Sequence, residues 1–336
     1  MNDNTLNKNE PRASAAATVV LIITATFFSV LGASGFGGLF SLMVSSALLG
    51  LLLIAQPSFV SFLPIPLSFV AAVALTGSPL LACACFLTVP VAFALRICYA
   101  KKCCLSVTVI SCSVALGISY ILLLALNMYI TFGSVTEGLS YIKNTVNETV
   151  NLSFSTVNEY AVAMGREDLQ IDSDSIYLFK KSMLMVFPGI FVVFIEIAAY
   201  CTEKLMRLFA KIFRCNFVLN IKSSITLGLG AAIIFVVSYL LYAFFAGDTV
   251  LFYSAENLML AVMPAACLVG IFSMFGKNGF FRRSEKTSLK VLTVLLCVTA
   301  FLSSPYVLLI LFALWGSTAR ISRALSAYFI AKNNKQ

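Results

Sequence analysis

Long apolar runs separated by short polar breaks make up most of this chain. Before the middle they read as Ala13–Leu31, Phe40–Ala55, Phe59–Leu75, Leu80–Ile97 and Leu105–Phe132. After it they read as Ser182–Tyr200, Ile225–Ala246, Leu258–Phe275 and Leu289–Trp315. Several are only about 16 to 18 residues long, short of the roughly 20 that a helix needs to cross the hydrocarbon core. These predict shallow tilt, or spans that are broken or re-entrant. Gly32, Gly35, Gly37 and Gly38 make one break, and Gln56-Pro57, Gly77-Ser78-Pro79 and the basic Arg96–Lys102 loop make others. Pro64, Pro66 and Pro90 fall inside runs, where a proline leaves a carbonyl that a neighbouring helix or a wet cavity must satisfy.

One long segment breaks the pattern. Gly133–Lys181 is polar, and its apolar residues recur every three or four positions, as at Val135, Leu139, Ile142 and Val146. That period puts them on one helical face. Ser134-Val-Thr-Glu137 is a capping-box pattern, in which each side chain can serve the other residue's backbone N–H. Gly165 stands where a helix stop is expected. The spacing predicts about 30 residues of amphipathic helix, or two helices broken near Leu152, followed by a polar turn. Such a segment is either a helix packed on the membrane domain or a lid or docking element.

Composition supports a membrane protein. Of 336 residues, 60% are hydrophobic and 11% charged, against about 25% charged in soluble domains. The net charge of +9 would fit nucleic acid, but its placement fits membrane topology better. Arg96–Lys102, Glu203–Lys222 and Lys277–Lys290 are basic, whereas Gly247–Asn257 carries Asp248 and Glu256 and no cation. With both termini inside, this obeys the positive-inside rule. It then needs an even number of crossings, so Leu289–Trp315, interrupted by Ser303-Ser304-Pro305, is expected as a hairpin. Ser317–Ala331 is alternatively an interfacial helix. The expected fold is therefore an all-α polytopic transmembrane bundle of about 8–10 segments with an extracytoplasmic amphipathic insert. Its parts are a disordered tail over 1–12, a membrane half over 13–132, the insert over 133–181, a second membrane half over 182–319 and a basic tail over 320–336. A signal peptide ending near Gly32-Ala33-Ser34 is the alternative reading of the first run.

Candidate chemistry is sparse. The chain has no histidine, which removes His-based zinc sites and the Ser-His-Asp and Cys-His arrangements. None of the ten cysteines lies in the insert, which argues against a disulfide framework. Cys98, Cys103 and Cys104 offer thiols for a metal but lack a matching second pair, so no metal, cofactor or catalytic residue is expected. Gly270–Lys277 fails the phosphate-loop spacing. Gly228-Leu-Gly230 and Ala13/Ala17 are expected to let helices approach closely. Glu196 stands inside an apolar run, where an ionised carboxylate costs several kcal/mol unless paired, protonated or hydrated. It is the leading substrate-binding candidate, with Asn127 and Gln56 behind it. The alternative is that Glu196 reaches the interface and pairs with Lys204 or Arg207. The stretch containing Lys204, Arg207, Lys211 and Arg214 is a basic amphipathic helix, which suits the anionic leaflet or a cytoplasmic partner.

Met185-Val-Phe-Pro188-Gly189 leading to Tyr200 and Arg207, the late span Glu256–Phe275 and the basic C-terminal tail carry a resemblance. On these the chain resembles the YybS-like family of bacterial membrane proteins, a domain of unknown function. Trp315-Gly316-Ser317 lacks the acidic residue that such families often carry before the final arginines. The resemblance implies a distant similarity to the substrate-binding membrane subunits of energy-coupling-factor transporters. It further implies a protein of the bacterial cytoplasmic membrane that binds a small molecule without converting it and works with other membrane or cytoplasmic subunits. A membrane scaffold that docks envelope or division proteins is the other expectation.

Overall fold

A computed structural model describes residues 14–56, 58–215, 226–245, 249–276, 280–283 and 287–333. The expected tail over 1–12 lies outside these, as do Ala13, Pro57, Lys222, Gly247, Asp248, Lys277, Asn278, Lys286 and Lys335. The described residues form helices and turns only. Eight helical stretches are long and apolar enough to cross a membrane.

In the first half, α1 (Ala15–Ala33) and α2 (Gly38–Ala55) meet at the glycine turn. Gly35 and Gly37 have φ of 82° and 72° there, a backbone state cheap only for glycine. A 3-10 turn over Phe59–Phe62 leads into α3 (Pro64–Thr76), and short turns over Pro79–Leu87 lead into α4 (Thr88–Ala100). Pro64 opens α3 with Pro66 in its first turn, whereas Pro90 lies two residues into α4, directly after helical 3-10 turns. α5 (Leu105–Phe132) closes this half. α2 is its axis, with Leu48, Leu51 and Leu52 buried against Leu21, Leu95 and Leu116. Between helices in lipid, close packing and hydrogen bonds replace the hydrophobic drive. The Ser45 hydroxyl accordingly donates to the Ala25 carbonyl at 2.8 Å.

The insert is one unbroken helix, α6 (Val135–Ala163). The Ser134 hydroxyl accepts from Glu137 N–H at 3.1 Å, while the reciprocal bond from Glu137 does not form. At the other end Gly165 has φ 66°. Gly165 N–H donates to Val162 O and Arg166 N–H to Ala161 O, both at 2.9 Å, which is a Schellman stop. The following turn is tied back by Asn158. Its amide donates to Ile171 O at 2.9 Å and accepts from Ile171 N–H at 2.8 Å.

α7 (Ser173–Ile212) is a single helix of 40 residues. At 1.5 Å per residue it is about 60 Å long, twice the hydrocarbon thickness. The apolar run Ser182–Tyr200 is only its middle. The basic stretch expected as a separate interfacial helix is its last turns, in which Met206 and Ala210 are fully buried in the first half. α7 serves two cores: Val186 packs in the second half, and Ile195, Ala198 and Ala199 pack in the first.

The second half contains α8 (Leu229–Phe244), α9 (Val250–Phe275), α10 (Thr287–Ser303) and α11 (Pro305–Asn333). The run Leu289–Trp315 divides at Ser304. Ser317–Ala331 is not a separate interfacial helix, because α11 continues through it and Ser317 is fully buried. α9 and α11 cross at Gly270 and Gly316. A Cβ on Gly316 would lie 2.7 Å from the Gly270 nitrogen, and one on Gly270 would meet the Phe312 backbone. Gly228 and Gly230 have nothing within 4 Å of a built Cβ. The expected close approach is thus absent there and occurs at Gly270 and Gly316. The Cys267 thiol donates to Leu309 O at 2.9 Å across the same crossing.

Candidate binding cavity

Where the halves meet, α5, α7, α9 and the start of α8 border a half-open cavity of about 550 Å³. That is within the range of about 300–1,000 Å³ typical of ligand sites. Its walls are apolar, with Val109, Ile110, Ile197, Val262, Leu268 and Ile271 among them. Among the described residues, Glu196 is the one charged residue that lines it. The carboxylate is half-buried, and no hydrogen bond or ion pair reaches it from the described residues.

The polar edge of the cavity is largely satisfied from within. The Ser106 hydroxyl donates to Thr226 O at 2.7 Å and accepts from Thr226 N–H at 2.9 Å. These bonds hold the segment entering α8 against α5. Arg320 Nε donates to Leu227 O at 2.9 Å and secures the same segment from α11.

Glu196 does not pair with Lys204 or Arg207. Glu203 takes that place two turns further along α7, and it is fully buried. Its Oε1 accepts from the Tyr99 hydroxyl at 2.9 Å and from Arg207 Nε, while Lys204 Nζ lies 3.5 Å from Oε2. The Arg207 guanidinium stands 5.7 Å over the Tyr99 ring, adding a cation–π contact. This cluster joins α4 to α7 by satisfying a buried charge, without which the charge would be costly. Of the four basic residues expected as a partner or lipid surface, Lys204 and Arg207 are half-buried around Glu203, and Lys211 and Arg214 are exposed.

The other two candidates lie elsewhere. Gln56 caps the end of α2. Asn127 is exposed near the far end of α5, where its Oδ1 accepts from the Thr131 hydroxyl at 3.1 Å. Neither lines the cavity. Among the described residues, no three Cys, Asp or Glu side chains gather as a metal site.

One functional-looking residue escaped the sequence reading. Asn257 belongs to α9, not to a loop, and its amide spans α7 beside Pro188. The Oδ1 accepts from Gly189 N–H at 2.7 Å, and the Nδ2 donates to Met185 O at 2.8 Å. The available signal was a lone amide shortly before the apolar run Leu258–Phe275, in a chain with an intrahelical Pro-Gly pair.

Fold and cavity together define a multi-pass helical membrane protein. No protein-family profile, curated protein or solved structure matches the chain.

Proposed function

We propose that this protein is of transport type: it binds a small molecule between its two helical halves and does not convert it chemically. The carrying observation is the cavity between α5, α7, α8 and α9, with the Glu196 carboxylate on its wall and no partner for it among the described residues. Ionisable groups within membrane-spanning segments are rare and mark ligand or ion paths by default. The resemblance to the YybS-like family supports the same reading and, with the cationic loops, a place in the bacterial cytoplasmic membrane with both termini inside. Other membrane or cytoplasmic subunits would be its partners. The test is mass spectrometry of small molecules that co-purify in mild detergent, followed by thermal melts with each one found. A ligand that raises the Tm of the wild-type protein, but not of a cavity-filled Ala265→Trp variant, supports the proposal. A protein that carries no small molecule and that none stabilises overturns it.

The second reading is a membrane scaffold, favoured by α6. That helix and its C-cap expose Leu152, Tyr160 and Met164 at 69%, 65% and 73%, apolar surface that a protein partner could cover. A protein partner that crosslinks to α6, from a preparation free of small molecules, would favour it.

A further inference from the structure

The class of ligand can be argued from the groups that the cavity leaves unspent, and this argument rests on the binding role just proposed. The Ser106 hydroxyl has a single proton, which goes to Thr226 O, and Thr226 N–H returns to Ser106. Neither group has a donor left for a ligand. The Arg320 Nε proton is held by Leu227 O, and Lys204 faces Glu203 and stands 5.1 Å over the Tyr200 ring. Neither Arg320 nor Lys204 is among the residues that line the cavity, and Arg323 of α11 lies on the exposed surface. Among the described residues, what remains on the wall is the Glu196 carboxylate, an acceptor when ionised, with two neutral hydroxyls, that of Tyr200 one turn along the same helix and that of Thr226. Around them the surface is hydrocarbon.

We infer that the cavity takes an amphipathic organic cation, whose positive centre pairs with Glu196 and whose apolar body fills the space between α5 and α9. An ionised carboxylate without a partner is strongly disfavoured in such surroundings. A cation that brings its own hydrocarbon resolves this, because pairing offsets the desolvation of both charges. An anion would face the carboxylate with only neutral hydroxyls to oppose it. A neutral acceptor would find only the Tyr200 and Thr226 hydroxyls and would leave the carboxylate unpaired.

The experiment is equilibrium dialysis of the full chain in detergent with three probes of similar shape: tetraphenylphosphonium, tetraphenylborate and neutral triphenylmethane. Wild type, Glu196→Gln, Glu196→Asp and Ala265→Trp are compared, after each is confirmed monodisperse with a cooperative melt. Wild type is expected to bind the phosphonium in preference to the borate. Glu196→Gln should weaken the phosphonium about tenfold or more, the scale of one charged hydrogen bond, and leave triphenylmethane unchanged. Glu196→Asp should keep the preference for the cation, and Ala265→Trp should remove binding of both. Equal phosphonium binding by wild type and Glu196→Gln overturns the inference, as does borate held as tightly as phosphonium. If triphenylmethane binds in an Ala265→Trp-sensitive way and the phosphonium does not, the cation fails and the cavity reading stands. If no probe binds the wild type, both fall.

Discussion

The side chain of Asn257 on α9 completes the backbone of α7 at Gly189. In a regular helix Gly189 N–H would donate to Met185 O, four residues earlier. Pro188, which has no N–H and crowds the carbonyl of Leu184, opens the turn. The Asn257 amide then accepts from Gly189 N–H and donates to Met185 O, at 2.7 and 2.8 Å. Gly189 is needed for the approach, since a Cβ there would lie 3.0 Å from the Asn257 Cα.

Asn257→Leu should therefore lower the Tm in detergent. It leaves a donor and an acceptor without partners, at about 1–3 kcal/mol for each if fully desolvated, and nearer 1 kcal/mol in total if the membrane-protein average holds. Pro188→Ala lets the helix close and should restore much of the loss in the double variant. If Pro188→Ala and Asn257→Leu add independently, the amide is not repairing the proline.

The Glu203 cluster gives a second prediction. Tyr99→Phe removes one hydrogen bond and should cost about 1 kcal/mol. Glu203→Ala leaves Arg207 and Lys204 without their buried counter-charge and should cost about 3–5 kcal/mol. Glu203→Ala combined with Arg207→Ala should cost less than the sum of the two single changes. Urea or thermal unfolding of the purified protein measures all four, and strict additivity would mean the pair does not interact.

Helix packing separates two sets of glycines. Gly270→Val and Gly316→Val force α9 and α11 apart, and overpacking of this kind costs about 1–3 kcal/mol or more. Gly228→Ala and Gly230→Ala meet open space, so they should change the Tm little. Destabilisation by the second pair equal to that by the first would refute the crossing.

The ends of α6 can be tested by hydrogen exchange. Ser134→Ala removes an N-cap and should cost roughly 1 kcal/mol of local stability. Gly165→Ala puts a Cβ at φ 66° and should cost about 1–2 kcal/mol. Faster exchange over Val135–Ala163 is expected in both, with the membrane helices unchanged. Exchange at the wild-type rate in Ser134→Ala would show that tertiary contacts, not the cap, hold the helix.

The membrane orientation is tested by cysteine labelling of intact cells on a background stripped of native cysteines. A cysteine at Glu159 should react with an impermeant maleimide, and one at Arg283 should be protected. The opposite outcome inverts the topology and removes any role for α6 outside the cell.

Helices and their broad extents could be read along the chain because lipid leaves the backbone no alternative. Each N–H and C=O must be satisfied within the segment, so an apolar run of sufficient length already implies a helix. The start and stop of α6 were legible for a related reason: caps act over three or four residues, and Ser134, Glu137 and Gly165 show that spacing. The reach of α7 was not legible, because its polar ends are helical without being apolar and hydropathy sees only the middle. The fate of the polar residues was decided by tertiary structure alone. Glu196 and Glu203 are seven positions apart on one helix. One lines a cavity with no partner among the described residues, and the other is buried beneath Tyr99, which is 104 residues away in sequence. Asn257 and Gly189 meet across 68 residues, and Gly270 and Gly316 meet where two helices cross. Periodicity carries information about which face of a helix a residue occupies. Which other helix that face meets is set by the packing of the whole bundle.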